Sequence, residues 1–245
     1  MPVIAVSNPK GGAGKSTTAL LLATYLAENG ASVCIVDADP RQACAYWKQQ
    51  GKTTSTVEVV AGVRENTIVD IIDGLNHQFI FIDLEGTASV MVSRSIAVAD
   101  FVLIPVQASP EDVRAAGAAI RAVIDEEKLV RRSNPGKKIP FKVLLTRTNA
   151  PGAPVGTIQR QLEAEIAESK LPTFRATMVE RQPFKAVFLE GLTLREIGDL
   201  GLKVGNLEAA YENVHQVAVE LITYLEGKEL PRVGEQADMV TEVAG

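Results

Sequence analysis

The chain has 245 residues, 46% of them hydrophobic, enough to bury one sizeable core. Its net charge of −5 excludes a global positive field that would draw it to nucleic acid or anionic lipid, so any DNA contact must come from a local patch. The two cysteines, Cys34 and Cys44, have neither metal-site nor disulfide-scaffold spacing, and no apolar stretch reaches bilayer length; a cytoplasmic protein without membrane attachment is expected.

The opening Met1-Pro2-Val3-Ile4-Ala5-Val6 has no basic segment before its short apolar run and reads as a first strand, residues 3–7, not as a signal peptide. Further apolar runs at 32–37, 57–60, 79–83, 101–105, 141–146 and 173–178 read as strands, most of them continuously apolar as in strands buried on both faces. Helical patterns lie between them. Residues 16–28 stop at Asn29-Gly30, 41–50 follow Pro40, 111–126 follow Ser109-Pro110, 155–168 follow a Pro/Gly turn, and Leu207–Leu225 close the pattern. The alternation predicts a doubly wound α/β fold: a mostly parallel sheet of about seven strands, helices on both faces, and ligands at the carboxyl ends of the strands. One domain is expected over residues 1–226, followed by a mobile acidic tail, 227–245.

Between the first strand and first helix lies Asn8-Pro9-Lys10-Gly11-Gly12-Ala13-Gly14-Lys15-Ser16-Thr17. Glycines let successive backbone N–H groups point at one anion, and the following helix adds its positive end. In such a phosphate loop Lys15 reaches the β- and γ-phosphates and the Ser16 hydroxyl ligates Mg²⁺. The general pattern has glycine where this chain has Pro9. Two acidic strand ends suit the metal and the attacking water: Asp83 after Phe79-Ile80-Phe81-Ile82, and Asp37-Ala38-Asp39 after the second strand.

The segment from Lys10 to Thr17 resembles the deviant Walker A motif of the ParA/MinD group of P-loop ATPases, whose mark is the extra lysine, here Lys10. Asp37-Ala38-Asp39-Pro40-Arg41-Gln42 is similar to that group's first switch, usually Asp-x-Asp-Pro-Gln, with Arg41 departing from it. Asp83-Leu84-Glu85-Gly86 stands where many relatives carry Asp-Thr-Pro-Pro. Residues 180–191 are similar to the segment lining the base. The likeness runs over residues 3–225 and is nearest in type to short ParA partition ATPases and VirC1-like proteins; a phosphate loop at residue 10 leaves no room for the helix-turn-helix domain of longer relatives.

The resemblance implies ATP and Mg²⁺ as cofactors. ATP contacts are expected from Lys10, Gly11, Gly12, Ala13, Gly14, Lys15, Ser16, Thr17, Asp37, Arg147, Met178 and Pro183, and metal contacts from Ser16, Asp39 and Asp83. Lys10, Lys15 and Asp39 would carry catalysis: Lys10 reaches across an ATP-bound homodimer and Asp39 positions the water. Slow hydrolysis stimulated by a ParB-like or other adaptor, non-specific DNA binding and nucleoid association follow from the same resemblance. Lys128, Arg131, Arg132, Lys137, Lys138 and Lys142 are the candidate DNA contacts. The altered second switch and the shared fold keep two alternatives open: a non-hydrolysing nucleotide-dependent scaffold, and a small-molecule ATP-dependent ligase.

Overall fold

The computed structural model describes residues 1–150, 152, 156–168 and 171–227. Apolar runs form the strands β1 (Val3–Val6), β2 (Val33–Asp37), β3 (Glu58–Val60), β4 (Phe79–Asp83), β5 (Phe101–Gln107), β6 (Phe141–Thr148) and β7 (Met178–Val179). They pair in one seven-stranded sheet of order β3-β2-β4-β1-β5-β6-β7, and every pairing is parallel. Because alternate residues face opposite sides, the sheet carries two cores. Ile4 and Val6 pack with helices α1 (Lys15–Glu28), α2 (Ala43–Gln49), α7 (Gln182–Glu190), α8 (Leu194–Asp199) and α9 (Leu207–Leu225). Val3 and Ala5 pack with α3 (Ile68–Gly74), α4 (Val90–Val98) and α5 (Pro110–Val130). The sixth helix, α6 (Thr157–Glu168), follows β6. No helix among the described residues is long and apolar enough to cross a membrane.

Local chemistry sets the helix ends. Helix α1 starts at Gly14 and stops where Gly30 takes a φ of 94°. Helix α5 is capped by Ser109, whose Oγ accepts from the Asp112 N–H at 3.2 Å, and α8 by a Thr193/Glu196 capping box.

The strand expected at 173–178 is displaced. Only Thr173 bridges Val143, and the paired strand is Met178–Val179. Buried Glu220 on α9 accepts from the N–H groups of Arg175 and Ala176, and Asn213 accepts from Val179 and donates to Thr177; these side chains capture backbone groups a longer ladder would use. The expected helix over 41–50 begins at Ala43, because Gln42 holds a left-handed φ of 50°. Helices α3, α4, α7 and α8 add to those expected. Residue 155 and the tail 228–245 lie outside the described residues.

Candidate functional site

β1 is central, and its order reverses direction: the chain leaves β1 for β2 on one side and later crosses to β5 on the other. The loop after β1 therefore opens into the crevice at the carboxyl edge, where α/β sheets take ligands. Its curl rests on two left-handed glycines, Gly12 at φ 82° and Gly14 at φ 94°. One side chain of the loop itself and two from distant strands hold its backbone. Asn8 is buried, donates to the Pro105 carbonyl at 2.7 Å and accepts from the Lys10 N–H at 2.9 Å. Gln107, ending β5, donates to the Gly12 carbonyl at 2.5 Å. The Thr146 hydroxyl on β6 donates to the Ala13 carbonyl at 2.9 Å. With those carbonyls tied outward, the N–H groups are left for an anion.

Two adjoining cavities meet at the loop. One, about 460 Å³, is lined by Gly11, Gly12, Gly14, Lys15, Ser16, Thr17, Asp39, Arg41, Glu85 and Arg147 among others. The second, about 310 Å³ and mostly apolar, is lined by Thr18, Thr146, Met178, Phe184 and Phe188 and shares Gly14, Thr17 and Arg147 with the first. A polar chamber rich in backbone donors joined to an apolar slot matches a nucleotide's phosphates and its base. Arg147 lies at the junction with a left-handed φ of 52°, where the β6–β7 register shifts. Met178 lines the apolar slot; Pro183 does not, its ring packing toward Gly205 while Arg181, Phe184 and Lys185 of the same segment face the slot. A larger cleft of about 940 Å³ at the strands' amino ends has no lysine or arginine in its lining.

The two loop lysines diverge. Lys15 is buried and donates to the Lys10 carbonyl at 3.1 Å. Burial pushes its ammonium down, Asp83 and Asp39 oppose, and Arg41 adds to the lowering. Lys10 leaves the phosphate chamber altogether. Its Nζ lies 2.6 Å from Asp112 Oδ2 and 3.5 Å from Glu111 Oε2 and Ser109 Oγ, at the start of α5. Those hydrogen bonds to Asp112 raise its pKa.

Beneath the loop, the ends of β2 and β4 set Asp37 opposite Asp83 in register, both fully buried, with Cys44 Sγ 3.7 Å from Asp83 Oδ2. Burial pushes Asp83 up to about 7, with the Ser16 hydroxyl opposing, and raises Asp37 as well. Asp37 Oδ2 accepts from the Ala45 N–H at 2.9 Å, while Asp37 Oδ1, Asp83 Oδ1 and Thr18 Oγ1 are buried without a hydrogen-bond partner. Orphaned carboxylate oxygens beside the Ser16 hydroxyl fit a hydrated hard cation such as Mg²⁺. Asp39 stands nearer solvent on the chamber wall, its Oδ1 accepting from the Arg41 N–H at 2.8 Å.

The second switch segment closes against the loop. A Cβ at Gly86 would stand 2.9 Å from Gly11 N and 3.0 Å from Lys10 C, so glycine alone fits there. Asn8, Gln107, Thr146, Asp112 and Gly86 are not among the expected site residues; Asn8, inside the loop, and Gly86, inside the second-switch segment, carry a local signal, and the other three do not.

The VirC1 protein family model matches residues 1–227. This chain belongs to the VirC1 family. It is a ParA-like partition ATPase of the VirC1 type. It is 33% identical over 227 residues to a ParA protein of Rhizobium radiobacter, covering 92% of this chain and 98% of that one. It is 26% identical over 225 residues to the maintenance of carboxysome distribution protein A of Halothiobacillus neapolitanus, covering 89% and 95%. A variant of McdA from Cyanothece, solved in complex with ATP, has the same fold, with a TM-score of 0.65 at 19% identity, covering 94% of this chain and 97% of that one.

The basic run expected to touch DNA lies elsewhere in this VirC1-family chain. Helix α5 carries the chain from the loop edge to the amino edge of the sheet, where Lys128 pairs with Asp125, Arg131 with Glu127 and Lys137 with Asp100. Arg132 and Lys138 are the members of the run without an ion pair among the described residues. Lys142 does not belong with them: it is paired with buried Glu220 at 3.2 Å and packed over the rings of Phe174 and Tyr224, so it holds α9 to β6.

Proposed function

We propose that residues 1–226 form one ATPase domain that binds ATP with Mg²⁺, closes into a homodimer when ATP-bound, and hydrolyses ATP slowly to position a plasmid, chromosome or other cargo. Lys15 and the loop N–H groups take the phosphates, the Ser16 hydroxyl with Asp83 and Asp39 holds the cation, Asp39 orients the water, and the slot around Met178 takes the base. Bound Mg²⁺ supplies Lewis-acid charge neutralisation on the phosphates.

The observation that carries this reading is the divergence of Lys10 from Lys15. A lysine serving its own subunit's nucleotide would line its own chamber; Lys10 instead stands at the side, on the acidic start of α5. A cation in that position is available to a second subunit's phosphates, which ties hydrolysis to association. The relatives are named for chromosome partitioning and for carboxysome distribution, which supports cargo positioning; the same proposal puts that positioning in the cytoplasm on nucleoid DNA, with a ParB-like or other adaptor stimulating turnover.

The test is titration with fluorescent ATP with and without Mg²⁺, followed by phosphate release and retention on non-specific DNA. The reading predicts Mg²⁺-dependent binding that Lys15→Ala abolishes, slow turnover, and DNA retention that requires ATP and weakens with salt. Binding unaffected by Lys15→Ala would contradict it; an ATP dimer without turnover under any condition would favour a scaffold.

A further inference from the structure

The terminal-phosphate end of the chamber can be located from its walls. The base slot and the phosphate chamber share Gly14, Thr17 and Arg147, so this junction marks the end nearer the base. Outside the slot, Lys15 and Ser16 form the chamber floor, and its further walls include Gly11, Gly12, Asp39, Arg41, Glu85 and Gly86. A chain of phosphates starting at the junction ends among them.

Arg41 stands at that far end. Its Nη2 lies 3.9 Å from where a Cβ on Gly11 would stand, and no other outside atom comes as near. Its guanidinium makes no ion pair or hydrogen bond among the described residues. The backbone around it is firmly set: the Arg41 N–H donates to Asp39 Oδ1 at 2.8 Å, and Gln42 Nε2 donates to the carbonyls of Asp37 and Asp39 at 2.9 and 2.8 Å. A fixed backbone presents an unpaired, always-charged fork to a chamber whose other cations are Lys15 and Arg147.

We propose that Arg41 recognises the terminal phosphate of a nucleoside triphosphate from within the same subunit, so that the chain distinguishes triphosphate from diphosphate before any partner contributes Lys10. This rests on the nucleotide-binding reading above and adds to it the residue that senses the γ-phosphate. Two N–H groups of a guanidinium donate to phosphate oxygens without moving the switch backbone. A diphosphate, one phosphate shorter, leaves that contact unmade.

The experiment compares affinities for ATPγS–Mg²⁺ and ADP–Mg²⁺ by calorimetry on the full-length chain, Arg41→Gln and Arg41→Lys, at a protein concentration low enough that the species is monomeric by light scattering. Glutamine is expected to weaken ATPγS by about ten-fold or more and leave ADP within about two-fold, the size of one charge-assisted contact; lysine, which keeps the charge but loses the fork, falls between. Unliganded thermal midpoints are expected to match, separating recognition from folding. Equal weakening of both nucleotides, or an unchanged ratio, overturns the assignment while the nucleotide reading stands. Failure of the wild-type chain to bind either nucleotide overturns both.

Discussion

Gly86 has no room for a methyl group. The atoms a Cβ would meet are backbone atoms of Lys10 and Gly11, which cannot rotate aside as a side chain does. Gly86→Ala must therefore push the second switch off the phosphate loop. Overpacking of this kind costs about 1–3 kcal/mol. The expected outcome is a lowered thermal midpoint with nucleotide affinity reduced at least about ten-fold, because the displaced loop no longer aims its N–H groups. Thermal unfolding and fluorescent-ATP titration check both, and unchanged affinity would mean the two segments separate freely. The same contact accounts for the unusual Leu84-Glu85-Gly86: Leu84 is fully buried in the sheet's second core, Gly86 abuts the loop, and Glu85 and Gly86 line the phosphate chamber.

At the scale of elements, the parallel pairing of β2 with β4 sets two carboxylates side by side in the interior. Burial raises both, Asp83 to about 7. Between the ordinary carboxylate range and that value the folded chain holds a proton that the unfolded chain has lost, so stability falls as pH rises, and the whole penalty is present above the folded pKa. In metal-free buffer the urea midpoint is expected to decrease from about pH 5 to about pH 8, and Asp83→Asn to flatten part of that slope. A midpoint that rises over this interval would contradict the burial argument. Much of this arrangement was legible in the sequence. β2 and β4 are continuous apolar runs that end in aspartate, and the phosphate loop is a contiguous segment whose chemistry is local. The short helices α3, α4, α7 and α8 span six to nine residues, too few for a helical period to stand out. The strand over 173–178 was misplaced because Glu220 and Asn213, far along the chain, take its backbone donors. Gln107, Thr146 and Asp112 were missed for the same reason: each reaches the loop from a distant strand or helix, and spacing carries no record of that.

For the whole molecule, the sheet separates two ends. The loop, both switches and Lys10 lie at the carboxyl edge. The basic residues 128–138 lie at the amino edge, at the far end of a 21-residue helix that spans about 30 Å. Two subunits closing on their loops would carry these basic segments to opposite outer poles, so a single duplex contacting both is geometrically disfavoured. In the proposed dimer, Arg132 and Lys138 would meet DNA one subunit at a time. The central claim is that Lys10 is surplus to one subunit's own nucleotide and couples ATP to association. It is tested most directly by the mass in solution, from light scattering, of the wild-type chain and Lys10→Ala with ATPγS–Mg²⁺ and with ADP–Mg²⁺. The account predicts a dimer only for the wild type with the triphosphate, and a monomer in the other three cases even where nucleotide is bound; a Lys10→Ala dimer with ATPγS, or a wild-type chain whose mass ignores the nucleotide, would contradict it.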